Sequence, residues 1–74
     1  MKFLEFTDVS GRRIAIPKHS VDGIEEITNG FGKKYIKNHK FLKDVTKCCI
    51  IYAGEYGTFY SSSTYDEIMS QLKN

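Results

Sequence analysis

Apolar and polar residues alternate at the start of the chain. Residues 2–9 place Phe3 and Phe6 among polar neighbours, with Leu4 on the other face, and they lead into a turn at Gly11. Alternation with a period of two is typical of a half-buried strand, and a glycine after such a run is typical of a turn. The pattern predicts a first β-strand that enters a tight turn.

Two further short runs follow the same pattern. Residues 12–16 form the second predicted strand, which Pro17 closes because proline cannot donate a hydrogen bond to a neighbouring strand. Residues 23–28 then predict a third strand that stops at the turn signal Asn29-Gly30. The first half of the chain therefore predicts a β-hairpin followed by a third strand.

The second half of the chain contains another predicted hairpin. Residues 46–52 and 58–61 have strand composition, and residues 53–57 form a loop that carries two glycines. Residues 50–52 are apolar or aromatic without alternation. We therefore expect this strand to be covered on both faces.

A short amphipathic helix is predicted after the last strand. Thr64 followed by Glu67 matches the capping box that starts many helices. Such a short helix is unstable alone, so it must pack an apolar stripe on the sheet. The fold class predicted is α+β, with a small antiparallel sheet of about five strands and a C-terminal amphipathic helix. Tyr65, Ile68, Met69 and Leu72 fall at helical spacing, and the stripe expected to pack on the sheet consists of Tyr65, Ile68 and Leu72.

Length and composition favour one folded domain. The 74 residues are 41% hydrophobic and 27% charged, which is ordinary usage for a globular protein. We interpret residues 1–74 as a single domain with a lysine-rich excursion at residues 29–47. No apolar run is long enough for a membrane span, and residues 1–5 lead into no apolar signal segment. We expect a cytoplasmic protein without a membrane anchor.

The two cysteines are adjacent, at Cys48 and Cys49. A disulfide between neighbours would be strained and would close no useful loop. On a strand they point to opposite faces, so we expect one thiol to be buried and the other to face solvent or a partner. The sequence favours two reduced thiols that pack as small apolar side chains over a redox pair.

No catalytic or metal-binding constellation is recognisable. His19, His39 and the cysteine pair lack the spacing of a zinc site. Glu25 and Glu26 are expected on opposite faces of a strand, which is unsuitable for paired acid and base catalysis. Residues 61–63 are serines without the motif of a nucleophilic serine, and they are better interpreted as turn and cap residues. We expect a protein that is not an enzyme and that uses neither cofactor nor metal.

Charge is distributed unevenly along the chain. Residues 33–47 carry a net charge of +5 and the remainder carries −3. Lysines interleaved with aromatic side chains are typical of surfaces that bind nucleotide phosphates or single-stranded nucleic acid. The alternative is a solvated lysine face that only keeps the protein soluble. The candidate ligand-binding residues are Phe31, Lys33, Lys34, Tyr35, Lys37 and Lys40.

The same segment leaves two structural questions open. Gly30-Phe31-Gly32-Lys33-Lys34 could bring backbone amides and ammonium groups to a phosphate, although it lacks the spacing of a complete phosphate-binding loop. A flexible surface loop is the competing interpretation. Residues 31–45 show no steady period, so the segment is predicted as loop or short helix, and residues 34–37 could also be strand.

Several runs outside the lysine segment match a known pattern. They are Phe3-Leu4-Glu5-Phe6-Thr7 with Gly11, Ile14-Ala15-Ile16-Pro17, Ile24-Glu25-Glu26-Ile27, Phe59-Tyr60 and Thr64-Tyr65-Asp66-Glu67-Ile68. With these runs the chain resembles the FlbD-like short β-rich proteins of flagellar and phage-type loci. The resemblance covers residues 1–28 and about residues 50–74 and skips residues 29–47, where the family has a compact hairpin. It implies a small β-rich fold and a phage or prophage origin, and it supplies no catalytic residue.

Two functional hypotheses follow. The first is a non-enzymatic, homo-oligomeric interaction domain that acts through protein–protein contacts at a sheet face or edge. The second is a phage-type inhibitor or sponge that binds a phosphate-bearing nucleotide or single-stranded nucleic acid through residues 33–47. They differ in the part of the chain that meets the partner.

Overall fold

The computed structural model describes residues 2–28 and 48–74. Within them the chain forms five strands and one helix, which confirms the α+β class. The elements in chain order are β1 (Phe3–Thr7), β2 (Arg13–Pro17), a 3₁₀ turn (Lys18–Ser20), β3 (Gly23–Ile27), β4 (Cys48–Tyr52), a second 3₁₀ turn (Gly54–Tyr56), β5 (Thr58–Ser61) and α1 (Tyr65–Lys73).

The five strands form two small antiparallel sheets. One sheet contains β1 and β2, and the other has the order β3-β4-β5. The two sheets join at one corner, where Asp8 and Ser61 form an isolated bridge. There the N–H of Val9 donates to the C=O of Tyr60 over 2.9 Å. The predicted five antiparallel strands are present, divided between two sheets.

A side chain separates the two sheets along the rest of β1. The backbone N–H of Glu5 donates to Oε1 of Gln71 over 2.9 Å, and Nε2 of Gln71 donates to the C=O of Glu5 over 2.7 Å. The amide of Gln71 therefore occupies the place that a neighbouring strand would take along this part of β1. This is why β1 meets β5 only at the corner.

One core lies between the two sheets and the helix. Phe6 and Phe59 meet there edge to face, with ring centroids 5.7 Å apart. Leu4 shares the buried face of β1 with Phe6, whereas Phe3 lies on the other face and is 49% exposed. The prediction that placed Leu4 opposite Phe6 is therefore wrong, because residues two apart on a strand share a face. The buried members are Leu4, Phe6, Ile16, Cys49, Ile51, Ala53 and Ile68.

Strand β4 is buried on both faces, as its lack of alternation predicted. Cys49 and Ile51 face the main core, while Cys48 and Ile50 form a second buried cluster on the opposite side. The second cluster is joined by the partly buried side chains of Val9, Ile27 and Tyr60. β4 therefore lies between two apolar clusters, and burial of both its faces stabilises the β3-β4-β5 sheet.

The helix begins where the capping box predicts. Oγ1 of Thr64 accepts a hydrogen bond from the N–H of Glu67 over 3.1 Å. Ile68 is completely buried, and Tyr65 and Leu72 pack partly buried against the same core. At the other end, Nζ of Lys18 donates to the C=O of Gln71, where a cation also interacts favourably with the helix dipole. No helix in the described part of the chain is long and apolar enough to cross a membrane.

The N-cap can be tested by replacing Thr64 with alanine. Loss of the side-chain acceptor should lower the free energy of unfolding by about 1 kcal/mol, because a first-turn N–H loses its partner. Thermal unfolding measures this as a lower melting temperature. Ser70→Ala on the exposed side of the same helix is the control. Equal melting temperatures for Thr64→Ala and wild type would show that the cap does not stabilise the helix.

Candidate interaction surfaces

The candidate ligand-binding residues Phe31, Lys33, Lys34, Tyr35, Lys37 and Lys40 lie outside the described residues. The structure does locate the two points between which they are inserted. Ile27 ends β3 and Cys48 begins β4, and these two residues are Cα partners in the antiparallel register. Residues 28–47 are the stretch of sequence that joins these two neighbouring antiparallel strands.

A groove lies beside this insertion point. It has a volume of about 230 Å³ and is lined by Glu26, Cys48 and residues 62–66. Its ionisable lining includes the carboxylates of Glu26 and Asp66, both on exposed residues. The groove therefore offers negative charge next to the end of β3.

The two cysteines lie at the start of β4, and Cys48 also lines the groove. Cys48 and Cys49 are both buried, so the expectation that one of them faces solvent is wrong. The reason is that both faces of β4 are covered. Burial, with a smaller contribution from Cys49, raises the pKa of the Cys48 thiol to about 11. Burial and then the charge of Glu26 raise the pKa of Cys49 as well. Both thiols stay protonated at neutral pH, and a protonated thiol is a poor nucleophile.

The three consecutive serines serve the backbone. Ser61 is buried, and its hydroxyl accepts from the N–H of Ser63 over 3.0 Å. The N–H of Ser62 donates to the C=O of Thr7 over 2.8 Å, and its hydroxyl donates to the same oxygen over 3.0 Å. These contacts stabilise the corner between the two sheets, as the turn-and-cap interpretation predicted. Among the described residues no three metal-binding side chains converge.

Asp8 organises the turn of the first hairpin. Its carboxylate is only 6% exposed and accepts hydrogen bonds from the N–H and hydroxyl of Ser10 and from the N–H and Nε of Arg12, at 2.7 to 3.0 Å. Burial alone would raise the pKa of Asp8, but the bonds from Ser10 and Arg12 outweigh it and lower the pKa from 3.8 to about 2. An aspartate two residues before a serine is a local turn signal that the sequence analysis missed.

This shift makes the stability of the fold depend on pH. Because the pKa of Asp8 is lower in the folded state, its ionised form stabilises the protein above pH 3.8, and this contribution is lost as the pH falls towards about 2. Asp8→Asn should be less stable than wild type at neutral pH. The difference in free energy of unfolding between the two proteins should shrink as the pH falls from 3.8 towards about 2. Urea unfolding from pH 7 to pH 2 measures it, and a difference that stays constant would contradict the assignment.

Three large hydrophobic side chains are exposed in the described part of the chain. Phe3 is 49% exposed, Tyr52 is 39% exposed and Tyr56 is 48% exposed. The two 3₁₀ turns, Lys18–Ser20 and Gly54–Tyr56, contact each other, and the hydroxyl of Tyr52 donates to Oε1 of Glu25 over 2.8 Å. We call Phe3, Tyr52 and Tyr56 the aromatic surface.

The backbone of each aromatic residue belongs to one of these turns or pairs with a residue beside one. Phe3 is the Cα partner of Pro17, which immediately precedes the first turn. The C=O of Tyr52 accepts from the N–H of Asp22 over 2.7 Å, just after that turn. Tyr56 belongs to the second turn, which Gly57 ends with a φ of 98° that favours glycine. This surface is not recognisable from the sequence, because Phe3 is far along the chain from Tyr52 and Tyr56.

Comparison of the chain with protein-family models, with curated proteins and with solved structures gives no match. The FlbD-like resemblance and the phage origin that it implies therefore stay predictions.

Proposed function

We propose that this chain is a non-enzymatic, homo-oligomeric interaction domain of the cytoplasm that acts through protein–protein contacts. The observation that carries the proposal is the aromatic surface. Aromatic side chains are enriched in protein interfaces because they bury a large area for a small loss of conformational entropy. Each of the three leaves a large part of its ring in water, and a partner that covers it would bury that apolar area.

The charges around the aromatic surface favour a second copy of the chain as the partner. Lys18, Asp22 and Glu55 belong to the two turns or adjoin them, so both signs of charge are present. The ammonium of Lys18 also donates to the C=O groups of Gln71 and Asn74 at the end of α1. When a surface meets its own copy across a two-fold axis, a patch of one sign repels itself, whereas a mixed patch can pair opposite charges. A closed dimer is the assembly that such a contact produces.

The internal use of the polar groups supports a role without catalysis. The carboxylate of Asp8 and the hydroxyl of Ser61 are engaged in hydrogen bonds that stabilise the fold. The thiols of Cys48 and Cys49 have raised pKa values and lie in the core. These groups stabilise the structure and are not presented to a substrate.

Replacement of Tyr56 tests the aromatic surface. Tyr56→Ser should weaken self-association by at least about tenfold, because a central interface tyrosine commonly contributes 1 to 2 kcal/mol or more. Sedimentation velocity over a range of protein concentrations measures this effect. Tyr56→Phe keeps the ring and is the matched control. A wild type that stays monomeric at high concentration would overturn homo-oligomerisation, and equal association of both variants would exclude Tyr56 from the contact.

A second candidate function is binding of a phosphate-bearing ligand, either a nucleotide or single-stranded nucleic acid, by residues 33–47. A protein with this function would be a phage-type inhibitor or sponge. The net charge of +5 in this segment favours it, and so does the position of both ends of the excursion at the Ile27 and Cys48 pair. A segment inserted at one point of a hairpin can contact a ligand without rearranging the core. The two candidate functions use different parts of the molecule and can be tested separately.

A further inference from the structure

Strand β2 has an open edge. In the described part of the chain β2 pairs on one side only, with β1. Glu5 directs its backbone N–H and C=O to Gln71, so the opposite residue, Ala15, forms a non-hydrogen-bonded pair and turns its own groups outward. Arg13 lies two residues earlier and has the same orientation. The open edge of β2 therefore presents the backbone groups of Arg13 and Ala15.

Strand β3 has an open edge as well. Among the described residues it pairs only with β4. The C=O of Tyr60 accepts a hydrogen bond from the N-terminal hairpin, so its β4 partner Ile50 turns its backbone towards β3 and meets Glu25. The alternate residues of β3 then point outward. This edge presents the backbone groups of Ile24 and Glu26.

The two edges are complementary in antiparallel register. Outward-facing residues must oppose each other, and the register that pairs all four of them places Arg13 opposite Glu26 and Ala15 opposite Ile24. The first pair brings opposite charges together, and the second sets a small side chain against a larger one. Asp66 lines the same groove as Glu26, so a second carboxylate lies on this side of the molecule.

Self-pairing of β3 is disfavoured by its charge. Glu25 and Glu26 are both exposed, and a second β3 strand would oppose carboxylates to carboxylates. Like charges directly opposite each other destabilise a strand pair, and charged edges are a common protection against such pairing. The edge of β2 carries Arg13, so it avoids this repulsion.

We propose that the β2 edge of one copy pairs with the β3 edge of the next, with Arg13 opposite Glu26. This inference rests on the proposed self-association and adds a second, heterologous contact to it. The aromatic surface alone closes a dimer, whereas a head-to-tail edge contact joins dimers into larger assemblies. Strand addition of this kind uses main-chain hydrogen bonds for affinity and side chains for specificity. A contact this short is weak, so it forms at high protein concentration.

Charge exchange tests the edge contact. Arg13→Glu and Glu26→Arg each replace an attraction with a repulsion and should weaken assembly beyond the dimer by about tenfold. An equimolar mixture of the two variants restores both opposite-charge pairs and should assemble as wild type does. Sedimentation velocity and light scattering at low salt measure the species, because salt screens exposed pairs. Both residues are exposed, and circular dichroism confirms that the variants are folded.

The outcomes separate this inference from the proposed function. A wild type that dimerises through Tyr56 and forms nothing larger overturns the edge contact alone. Larger assemblies that neither single variant weakens, or that the mixture fails to restore, also overturn it. A strictly monomeric wild type overturns both proposals. Larger assemblies that the single variants lose and the mixture regains support the edge contact.

Discussion

Ile68→Ala is expected to lower the free energy of unfolding by about 2 to 5 kcal/mol, the range for truncating a buried isoleucine. Ile68 is 0% exposed and lies in the core that the helix shares with both sheets. Truncation of this side chain leaves a cavity between the two sheets and the helix, and the surrounding strands can close only part of it. A domain of this size has roughly 4 to 11 kcal/mol of stability in total, so much of the protein should unfold.

Urea unfolding followed by circular dichroism measures this loss. Met69→Ala is the matched control, because Met69 neighbours Ile68 on the same helix but lies outside the fully buried core. Met69→Ala should lower the free energy of unfolding clearly less than Ile68→Ala does. If both variants have the same stability, the helix does not pack by its Ile68 face and the arrangement of the core is wrong.

Changing Lys33, Lys34, Lys37 and Lys40 together to serine is expected to abolish binding of a phosphate-bearing ligand, if the second candidate function holds. The substitution removes four of the positive charges in residues 33–47. Single-stranded binding weakens with salt by a power of about 0.7 for each phosphate neutralised. Loss of four contacts should therefore lower the exponent of any remaining single-stranded binding by up to about 3. The melting temperature should change little, because solvated lysines contribute little to stability.

Fluorescence anisotropy with a labelled single-stranded oligonucleotide, and calorimetry with ATP, measure binding at several salt concentrations. The double variant Lys2→Ser with Lys73→Ser is the control, since both lysines are exposed and lie outside the segment. It should bind as wild type does. If the quadruple variant binds both probes as tightly as wild type, the segment is only a solubility face. If wild type binds neither probe, this candidate function is excluded for both ligand classes.

The positions of the strands and the helix were predictable from short stretches of sequence. The Thr64 to Glu67 signal and the spacing of Ile68 and Leu72 involve residues within one or two helical turns, so their physics is local. The uninterrupted apolar run in β4 also predicted burial on two sides, since a solvated face would have needed polar residues. Glycines such as Gly57 indicated the turns between the predicted strands.

The candidate interaction sites were less predictable. The lysine segment was recognisable from charge alone, and its candidate residues lie outside the described residues. The aromatic surface gave no local signal: Phe3 occurs in a strand pattern and Tyr56 in a glycine-rich loop. The two 3₁₀ turns that their backbones adjoin meet only in the folded protein. An exposed aromatic residue cannot be distinguished from a buried one by its type.

The sequence by itself therefore determined the strands and the helix of the described residues, the α+β class and the uneven charge of the chain, because each depends on neighbouring residues. The tertiary structure decided how the strands divide between two sheets, since Gln71 meets Glu5 from 66 residues away. It also decided that both Cys48 and Cys49 are buried and that the β2 and β3 edges stay open among the described residues. These properties depend on which elements meet in space, and pairings between distant residues leave no periodic trace along a single chain.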